Sequence, residues 1–164
     1  MGQAEPMYDL RPGADVIDTA RAILRHERDR LAVLLPYPHE LVLVGGSSLP
    51  TALTKGDVDL HLRVPVTAFP PVVTVLSDVY EVVHPEIWQP TLATFLIEAA
   101  LPAGMAVTPA GSEHDLRFTR SWQRLAADPA LVVAYNDLKV RHRDDPGEYE
   151  RQKSAFFDSL VSSP

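Results

Sequence analysis

The chain contains no cysteine, so disulfide bonds and thiolate metal sites are excluded as sources of stability or chemistry. It also has no apolar run approaching the ~18 residues that a membrane-spanning helix needs, and we expect no membrane span. The N-terminus lacks the basic and then apolar layout of a signal peptide. We therefore expect a cytoplasmic protein.

Basic residues are scarce relative to acidic ones: 15 Lys and Arg stand against 22 Asp and Glu, for a net charge of −7. A long tract of DNA or RNA needs many Lys and Arg side chains to neutralise its phosphates. The charge balance therefore argues against a long nucleic acid as partner. It leaves room for a local basic pocket that holds a few phosphates.

The 164 residues are 46% hydrophobic, which is enough to bury one core. The 15 prolines are spread along the chain and favour short segments over a helical bundle. We predict an α+β fold: one domain over residues 1–164, with a mixed sheet of about five strands, flanking helices and a C-terminal helical part. Residues 1–14 carry two prolines and two glycines and are predicted to be a loose N-terminal arm.

Apolar periodicity and proline positions assign the individual elements. Pro129 and Pro146 follow Asp128 and Asp145, which is typical of helix starts with an N-cap residue and a first-turn proline. The patterns predict helices over residues 15–35, 67–77, 116–127, 129–143 and 146–161, and strands over 41–44, 57–64, 78–83, 91–99 and 105–109.

Residues 41–65, "LVLVGGSSLPTALTKGDVDLHLRVP", carry the clearest chemical signal. A strand that ends in Gly45-Gly46 lets a ligand approach the backbone closely, and Ser47-Ser48 add hydroxyls and amides at a helix start, a combination that can hold phosphate oxygens. Asp57 and Asp59 alternate on the next strand and therefore share one face. Two like charges on one face indicate a cation between them.

Magnesium fits this combination, because it takes one or two carboxylates together with substrate phosphates. Two such ions can clamp the attacking and leaving oxygens of an in-line phosphoryl or nucleotidyl displacement. The glycine loop would then hold a triphosphate while the acid pair holds its metal. Other phosphate-binding motifs are excluded, because the chain has neither Gly-Lys-Ser/Thr nor G-x-G-x-x-G.

The segment "VGGSSLPTALTKGDVDL" resembles the signature of the polymerase-beta-type nucleotidyltransferase superfamily, in which Gly-Gly or Gly-Ser is followed after about ten residues by Asp-apolar-Asp/Glu. Within it the chain is similar to the GrpB family, whose pattern is G-S-T-S-V-P-G-L-x-x-K-P-I-I-D-I. Residues that coincide with that pattern are Gly45, Ser48, Pro50, Lys55 and Asp59.

Two C-terminal motifs extend the resemblance over nearly the whole chain. "AYNDLKV", which holds Tyr135 and Lys139, is similar to the family's Y-x-x-L-K, and "EYERQKSAFF" matches its Y-x-x-x-K-x-x-F through Tyr149, Lys153 and Phe156. Tyr149 and Lys153 are four residues apart, so they share one face of a helix and could meet one ligand.

The resemblance implies a nucleotidyltransferase that moves an NMP group from an NTP, with ATP preferred, to a small-molecule or protein acceptor. It implies Mg²⁺ or Mn²⁺ as cofactor, bound by Asp57 and Asp59, and a third carboxylate that acts as base and metal ligand. Glu98 is the candidate for that third acid, with Glu113 and Asp115 as competitors. Residues expected at the nucleotide are Gly45, Gly46, Ser47, Ser48, Lys55, Lys139, Tyr149 and Lys153.

Departures from the family pattern keep two other functions open. Asp57 stands where the family usually has Ile, and Gly104 and Ala106 stand where it usually has His-x-His. The chain could therefore be a nucleotide- or metabolite-binding protein that has lost the chemistry, or an enzyme with a different reaction. His61 and Arg63, on the same face as the acid pair, are either plain surface residues or contacts to the acceptor or phosphates.

Several other residues have ordinary structural interpretations beside the functional ones. Ser48 could cap a helix start, and Lys55 could balance Asp57 without touching phosphate. The larger aromatic side chains are expected to pack in the core or between helices, namely Trp88, Trp122, Phe156 and Phe157.

Overall fold

The computed structural model of the chain describes residues 9–162. Its strands are β1 (Arg11–Pro12), β2 (Glu40–Val44), β3 (Leu53–Thr54), β4 (Val58–Val64), β5 (Glu81–Val82), β6 (Ala93–Ile97) and β7 (Ala103–Pro109). Its α-helices are α1 (Ile17–Leu34), α2 (Phe69–Val79), α3 (Glu113–Ala127), α4 (Pro129–Arg141) and α5 (Pro146–Ser162). Five strands form one mixed sheet in the order β2-β4-β7-β6-β5, and β1 pairs with β3 in a separate two-stranded ribbon.

The central strands β4 and β7 run parallel, while the pairs β2–β4, β6–β7 and β5–β6 are antiparallel. Along β4 the side chains of Val58, Leu60, Leu62 and Val64 are buried, as the alternating pattern predicts. They pack in one core cluster with apolar residues of α1 and α2. These two helices therefore cover one face of the sheet and leave the opposite face of β4 to the C-terminal half of the chain.

The helix boundaries follow from local sequence chemistry. Helix α1 ends two residues before Pro36, whose ring cannot continue a helix. The Asp128 side chain accepts a hydrogen bond from the backbone N–H of Ala130 at the start of α4, and Asp145 accepts one from Glu148 in α5. The predicted N-caps are therefore confirmed.

A second apolar cluster joins α3, α4 and α5 to the loop that precedes β3. Trp122, Phe156 and Phe157 belong to it, and Trp88 packs against the sheet core, so the predicted packing of these aromatics is confirmed. The buried members of the second cluster are Ala52, Leu125, Val132, Tyr135, Phe157 and Leu160. The C-terminal helices thus pack as a group beside the loop that carries the two glycines.

The predicted α+β architecture, with a five-stranded mixed sheet and a C-terminal helical part, is confirmed. The predicted arm over residues 1–14 is corrected in part. Residues 1–8 lie outside the described residues, but β1 pairs with β3, and the Gly13 N–H donates to the Ala52 carbonyl. These backbone hydrogen bonds fix the end of the segment. Within residues 9–162, every helix is too short or too polar to cross a membrane.

Candidate active site

The loop after β2 brings the backbone directly against the second acid of the pair. Val44, the last residue of β2, lies opposite Asp59 of β4. Gly45 then has φ +79°, a conformation that favours glycine, and a Cβ placed on it would stand 2.3 Å from Asp59 Oδ2. Glycine is thus required at position 45 for two independent reasons, backbone conformation and space for a carboxylate.

The two serines hold this loop in shape. The buried Ser47 hydroxyl donates to the Asp57 carbonyl and lies 3.1 Å from Thr54 Oγ1. The Ser48 hydroxyl donates to the Gly45 carbonyl at 2.6 Å. Both side chains are therefore engaged with protein groups, and what the loop can offer a phosphate is backbone, at Gly45 and Gly46.

The acid pair carries excess negative charge. Burial among protein atoms, reinforced by the neighbouring Asp57, raises the pKa of Asp59 from 3.8 to about 6, although Lys153, Lys55 and Lys139 act in the opposite direction. The Asp59 side chain nevertheless remains accessible to solvent, because it opens into a cavity. Two carboxylates in this state match the donor set of a hard divalent cation that also takes phosphate oxygens.

A first cavity of about 210 Å³, here called the basic pocket, lies on one side of the acid pair. Lys55, Lys139, Arg143 and Lys153 line it together with Asp59 and other residues. Its shape and charge suit a small polyanion. The remaining lining residues are Leu10, Gly46, Thr54, Asp57, Tyr135, Pro146, Tyr149 and Glu150.

Lys139 is the most constrained of the four cations. Its ammonium group donates to the Leu53 carbonyl and lies 4.3 Å from the centroid of the Tyr135 ring. A Cβ on Gly46 would come within 3.0 Å of it. Burial and the nearby Lys153 lower the pKa of Lys139 from 10.5 to about 8. A nearby anion would favour the charged form of Lys139 and offset its repulsion by Lys153.

Tyr149 and Lys153 share a helix face as predicted, and the Lys153 ammonium lies 5.7 Å from the centroid of the Tyr149 ring. Lys55 Nζ lies 3.7 Å from Asp57 Oδ2. The structure therefore brings the three lysines predicted from the sequence, together with Tyr149, to the acid pair.

A second cavity of about 620 Å³, here called the sheet-face cavity, opens on the other side of the acid pair. Gly104 and Ala106 of β7 lie beside Asp59 and His61 in the sheet and leave open space above it. Apolar side chains from strands and C-terminal helices form much of its wall, including Leu96, Phe118, Trp122 and Phe157. The two cavities share Asp57, Asp59, Glu150 and Lys153.

His61 and Arg63 occupy different surroundings from those expected of exposed strand residues. His61 is fully buried, its Nε2 lies 2.8 Å from Thr108 Oγ1, and burial lowers its pKa from 6.5 to about 4. His61 still forms part of the wall of the sheet-face cavity. Of the two roles predicted for His61, that of a plain surface residue is therefore wrong, and that of a contact in the site stays a prediction.

Arg63 pairs with the buried Asp115 through two hydrogen bonds, from Nε to Oδ1 at 2.6 Å and from Nη2 to Oδ2 at 2.9 Å. Burial alone would raise the pKa of Asp115, but the hydrogen bonds from Arg63 and from Gly111 N–H hold it below its ordinary value. This pair ties β4 to the start of α3. The structure thus gives both residues a structural role. Arg63 was predicted as a possible contact to the acceptor or phosphates, and Asp115 as a competitor for the third acid.

Glu98 is not brought to the acid pair. In the sheet, Asp59 is level with Gly104, and Gly104 is level with Leu96, so neither strand position at this level supplies a third acid. Glu98 lies two residues further on, exposed and past the end of β6. Glu113 is exposed in the first turn of α3. Among residues 9–162 no group of three or more His, Asp or Glu side chains could hold a metal ion.

The sequence interpretation missed Glu150 and Arg143, which both line the basic pocket. Spacing could have found them. Arg143 follows Lys139 by four residues, and Glu150 precedes Lys153 by three. Each therefore lies on the helical face of a predicted cation or on the continuation of that face. Arg117, on the wall of the sheet-face cavity, had no comparable signal.

Comparison with known proteins places this geometry in context. The chain matches no protein-family model. It is 29% identical over 133 residues to a UPF0157 protein of Vibrio cholerae, which covers 80% of this chain and 70% of that protein. The crystal structure of GrpB from Enterococcus faecalis superimposes with a TM-score of 0.67 at 16% identity, covering 87% of this chain and 90% of that one. Cid1, solved in complex with the UTP analogue UMPNPP, superimposes with a TM-score of 0.50 at 16% identity, over 82% of this chain but only 42% of Cid1.

Proposed function

We propose that this chain, whose resemblance to the GrpB family and whose nucleotidyltransferase fold are both confirmed, is a Mg²⁺-dependent nucleotidyltransferase. It would move an NMP group from an NTP to a small-molecule or protein acceptor and release pyrophosphate. One observation carries the proposal: Asp57 and Asp59 stand where a basic pocket and a largely apolar cavity meet.

The basic pocket would hold the β and γ phosphates of the NTP. Lys139, Lys153 and Arg143 supply positive charge from α4, α5 and the segment between them, and the Gly46 backbone lies beside the Lys139 ammonium group. Charge-assisted hydrogen bonds of this kind are the strong ones in phosphate recognition. The same cations would stabilise the additional negative charge that develops on the pyrophosphate as it leaves.

The acid pair fits a divalent metal, because Asp59 opens into both cavities and carries an unfavourable charge next to Asp57. Asp57 and Asp59 would hold Mg²⁺ or Mn²⁺, which when bound neutralises the phosphates and polarises the α-phosphorus for attack.

The sheet-face cavity would receive the acceptor. In an in-line displacement the attacking oxygen approaches opposite the leaving group, and this cavity and the basic pocket, which meet at the acid pair, would hold acceptor and leaving group separately. The acceptor oxygen forms a bond to the α-phosphorus while the bond from that phosphorus to pyrophosphate breaks. Pyrophosphate leaves with the electron pair, and the hydroxyl proton passes to solvent.

Thermal melting of the protein with each NTP, with and without Mg²⁺, tests the site. A ligand that binds the native state raises the melting temperature by mass action. We expect a magnesium-dependent rise with at least one NTP in the wild type and none in the Asp57→Asn/Asp59→Asn variant. Glu98→Gln serves as control and should behave as wild type. No rise with any NTP would refute the proposal.

A second function, nucleotide binding without chemistry, is favoured by the lack of a third carboxylate beside the acid pair among residues 9–162, since Gly104 and Leu96 occupy the strand positions level with Asp59. Pyrophosphate release separates the two. An enzyme releases pyrophosphate from the NTP identified by melting when a panel of hydroxyl compounds is added, and the release stops in the Asp57→Asn/Asp59→Asn variant. A binder shows the same melting shift without pyrophosphate at any acceptor concentration.

A further inference from the structure

The wall of the sheet-face cavity is largely apolar apart from charged residues such as Asp59, Arg117 and Lys153, and it holds one polar side chain that is fully buried. This side chain is His61, on the strand that carries the acid pair. Within residues 9–162 its Nδ1 is buried and has no hydrogen-bond partner. A buried polar atom without a partner is unfavourable unless some other group satisfies it. The cavity volume lies in the range of roughly 300–1,000 Å³ that is typical of small-molecule sites.

The hydrogen bonds around His61 determine which nitrogen carries the proton. Asp115 is an ionised carboxylate and can only accept, so the Thr108 hydroxyl donates to Asp115 Oδ1. Thr108 Oγ1 must then accept from Nε2–H of His61, 2.8 Å away. Asp115 Oδ1, 3.6 Å from Nε2, also favours a proton there. Nδ1 is therefore an unprotonated acceptor that needs a hydrogen-bond donor.

We propose that the sheet-face cavity binds an uncharged, largely apolar acceptor whose hydroxyl group donates a hydrogen bond to Nδ1 of His61. The role of this ligand as acceptor rests on the proposed function, whereas its chemistry is inferred from the cavity alone. Leu96, Trp122 and Phe157 provide apolar walls, and a hydroxyl on a hydrocarbon body is the simplest group that matches both wall and acceptor nitrogen.

The position of His61 also suits the reaction. His61 and Asp59 are two residues apart on β4 and share its face, so their Cβ atoms lie about 7 Å apart. A hydroxyl bound to His61 therefore lies beside the acid pair, where the α-phosphate is expected. Ala106, level with His61 in the sheet, leaves the intervening space open.

Phe118 acts as the cover of this contact. Its ring meets the His61 ring edge-on, with centroids 5.1 Å apart, and it also lines the cavity. A hydroxyl reaches Nδ1 only when the Phe118 side chain turns aside. Phe118 is only half-buried, so this movement leaves the sheet core intact.

Two probes of equal shape test the hydroxyl requirement: p-cresol and p-xylene, which differ by a hydroxyl in place of a methyl group. Binding can be followed by the indole ¹H–¹⁵N NMR signal of Trp122, a residue of the cavity wall. The signal is assigned with Trp122→Phe. We expect the wild type to bind p-cresol at least 10-fold more tightly than p-xylene, and the ¹⁵N shift of His61 Nδ1 to change with p-cresol only.

Two variants of His61 separate binding from structure. The Gln side chain in His61→Gln keeps a donor near Nε2 for Thr108 and removes the acceptor at Nδ1, whereas Asn in His61→Asn does the reverse. We expect His61→Gln to lose the preference for p-cresol and His61→Asn to keep it despite lower stability. Ala106→Leu should fill the space and weaken both probes.

Equal affinity for the two probes in the wild type, or a preference unchanged in His61→Gln, would overturn the inference. These probe experiments need no nucleotide, so their failure leaves the NTP melting test standing on its own. Conversely, p-cresol preference without any NTP effect would refute the proposed function and the acceptor role while leaving a hydroxyl-ligand site.

Discussion

The carboxylate of Asp59 lies against the Cα of Gly45, so closely that a Cβ on the glycine would stand 2.3 Å from Asp59 Oδ2. This contact couples the glycine loop to the acid pair. It explains why a glycine with positive φ stands in the loop before β4, since a side chain at position 45 would displace the Asp59 carboxylate.

Gly45→Ala is therefore expected to destabilise the fold and to displace Asp59. The backbone of Gly45, at φ +79° and ψ −180°, lies in a region essentially restricted to glycine and alone costs alanine roughly 1–3 kcal/mol, and the clash adds to it. Chemical denaturation measures the total. Gly111→Ala is the control for alanine at a positive φ without a clash, because Gly111 has φ +84° but no atom within 4 Å of the position that a Cβ would occupy. Equal losses in the two variants would show that the contact with Asp59 is unimportant.

The raised pKa of Asp59 predicts how stability varies with pH in the absence of metal. Its folded pKa, about 6, lies above the ordinary 3.8, so the folded state binds the proton more tightly. The stabilisation is complete below the unfolded pKa and is lost as pH rises through 6. Asp59→Asn should therefore melt like wild type near pH 4 and at a higher temperature near pH 8, both in EDTA.

His61 titrates in the same range with the opposite sign, because its pKa is lowered to about 4. Its contribution is common to wild type and Asp59→Asn and cancels in the difference between them. A difference in melting temperature that stays constant or shrinks as pH rises would contradict the assignment of excess charge to Asp59.

The ion pair of Arg63 and Asp115 is predicted to be structural. Asp115→Asn leaves the Arg63 guanidinium with a weaker partner in a largely buried position, and we expect a loss of about 2–4 kcal/mol. Glu40→Gln removes the exposed partner of the same arginine and should change stability by less than about 0.5 kcal/mol. Urea unfolding of both variants checks this, and similar losses would show that burial does not distinguish the two contacts.

Lys139 is predicted to bind phosphate. Lys139→Met should weaken NTP binding about 10-fold, as expected for loss of a charge-assisted hydrogen bond, and should also lower stability because the hydrogen bond to the Leu53 carbonyl is lost. Wild-type affinity should also fall as pH rises through about 8, the lowered pKa of Lys139, and that dependence should be absent in the variant.

Arg141→Gln is the control for Lys139, since Arg141 is an exposed cation on the same helix and outside the lining of the basic pocket. Calorimetric titration of the three proteins measures the affinities. An equal decrease in both variants would mean that NTP binding responds to overall charge and not to the position of Lys139.

The parts of the site that depend on short sequence separations were predictable. Gly45 and Asp59 are fixed by one hairpin-like pairing of β2 with β4, and Tyr149 and Lys153 by one helical turn. The prolines at 129 and 146 mark helix starts for a reason that is local to the backbone. Each of these predictions needs only the period of a strand or helix.

The parts that depend on what covers a surface were not predictable. Alternation along β4 correctly places His61 beside Asp59, but only the packing of α3, through Phe118, makes His61 buried. Glu98 fails for a related reason. Its distance from Asp59 depends on the register between β6 and β7, which is set by tertiary packing and turn geometry. That register places Leu96, and not Glu98, level with Asp59.

The most direct test of the account is calorimetric titration of the wild type and the Asp57→Asn/Asp59→Asn variant with α,β-imido-ATP, with Mg²⁺ and with EDTA. The account predicts binding to the wild type that requires Mg²⁺ and is absent in the variant. If ATP is not the donor, the analogue of the NTP found by melting replaces it. Binding that is equal in the two proteins, or that is unaffected by EDTA, would contradict the assignment of Asp57 and Asp59 as the centre of the site.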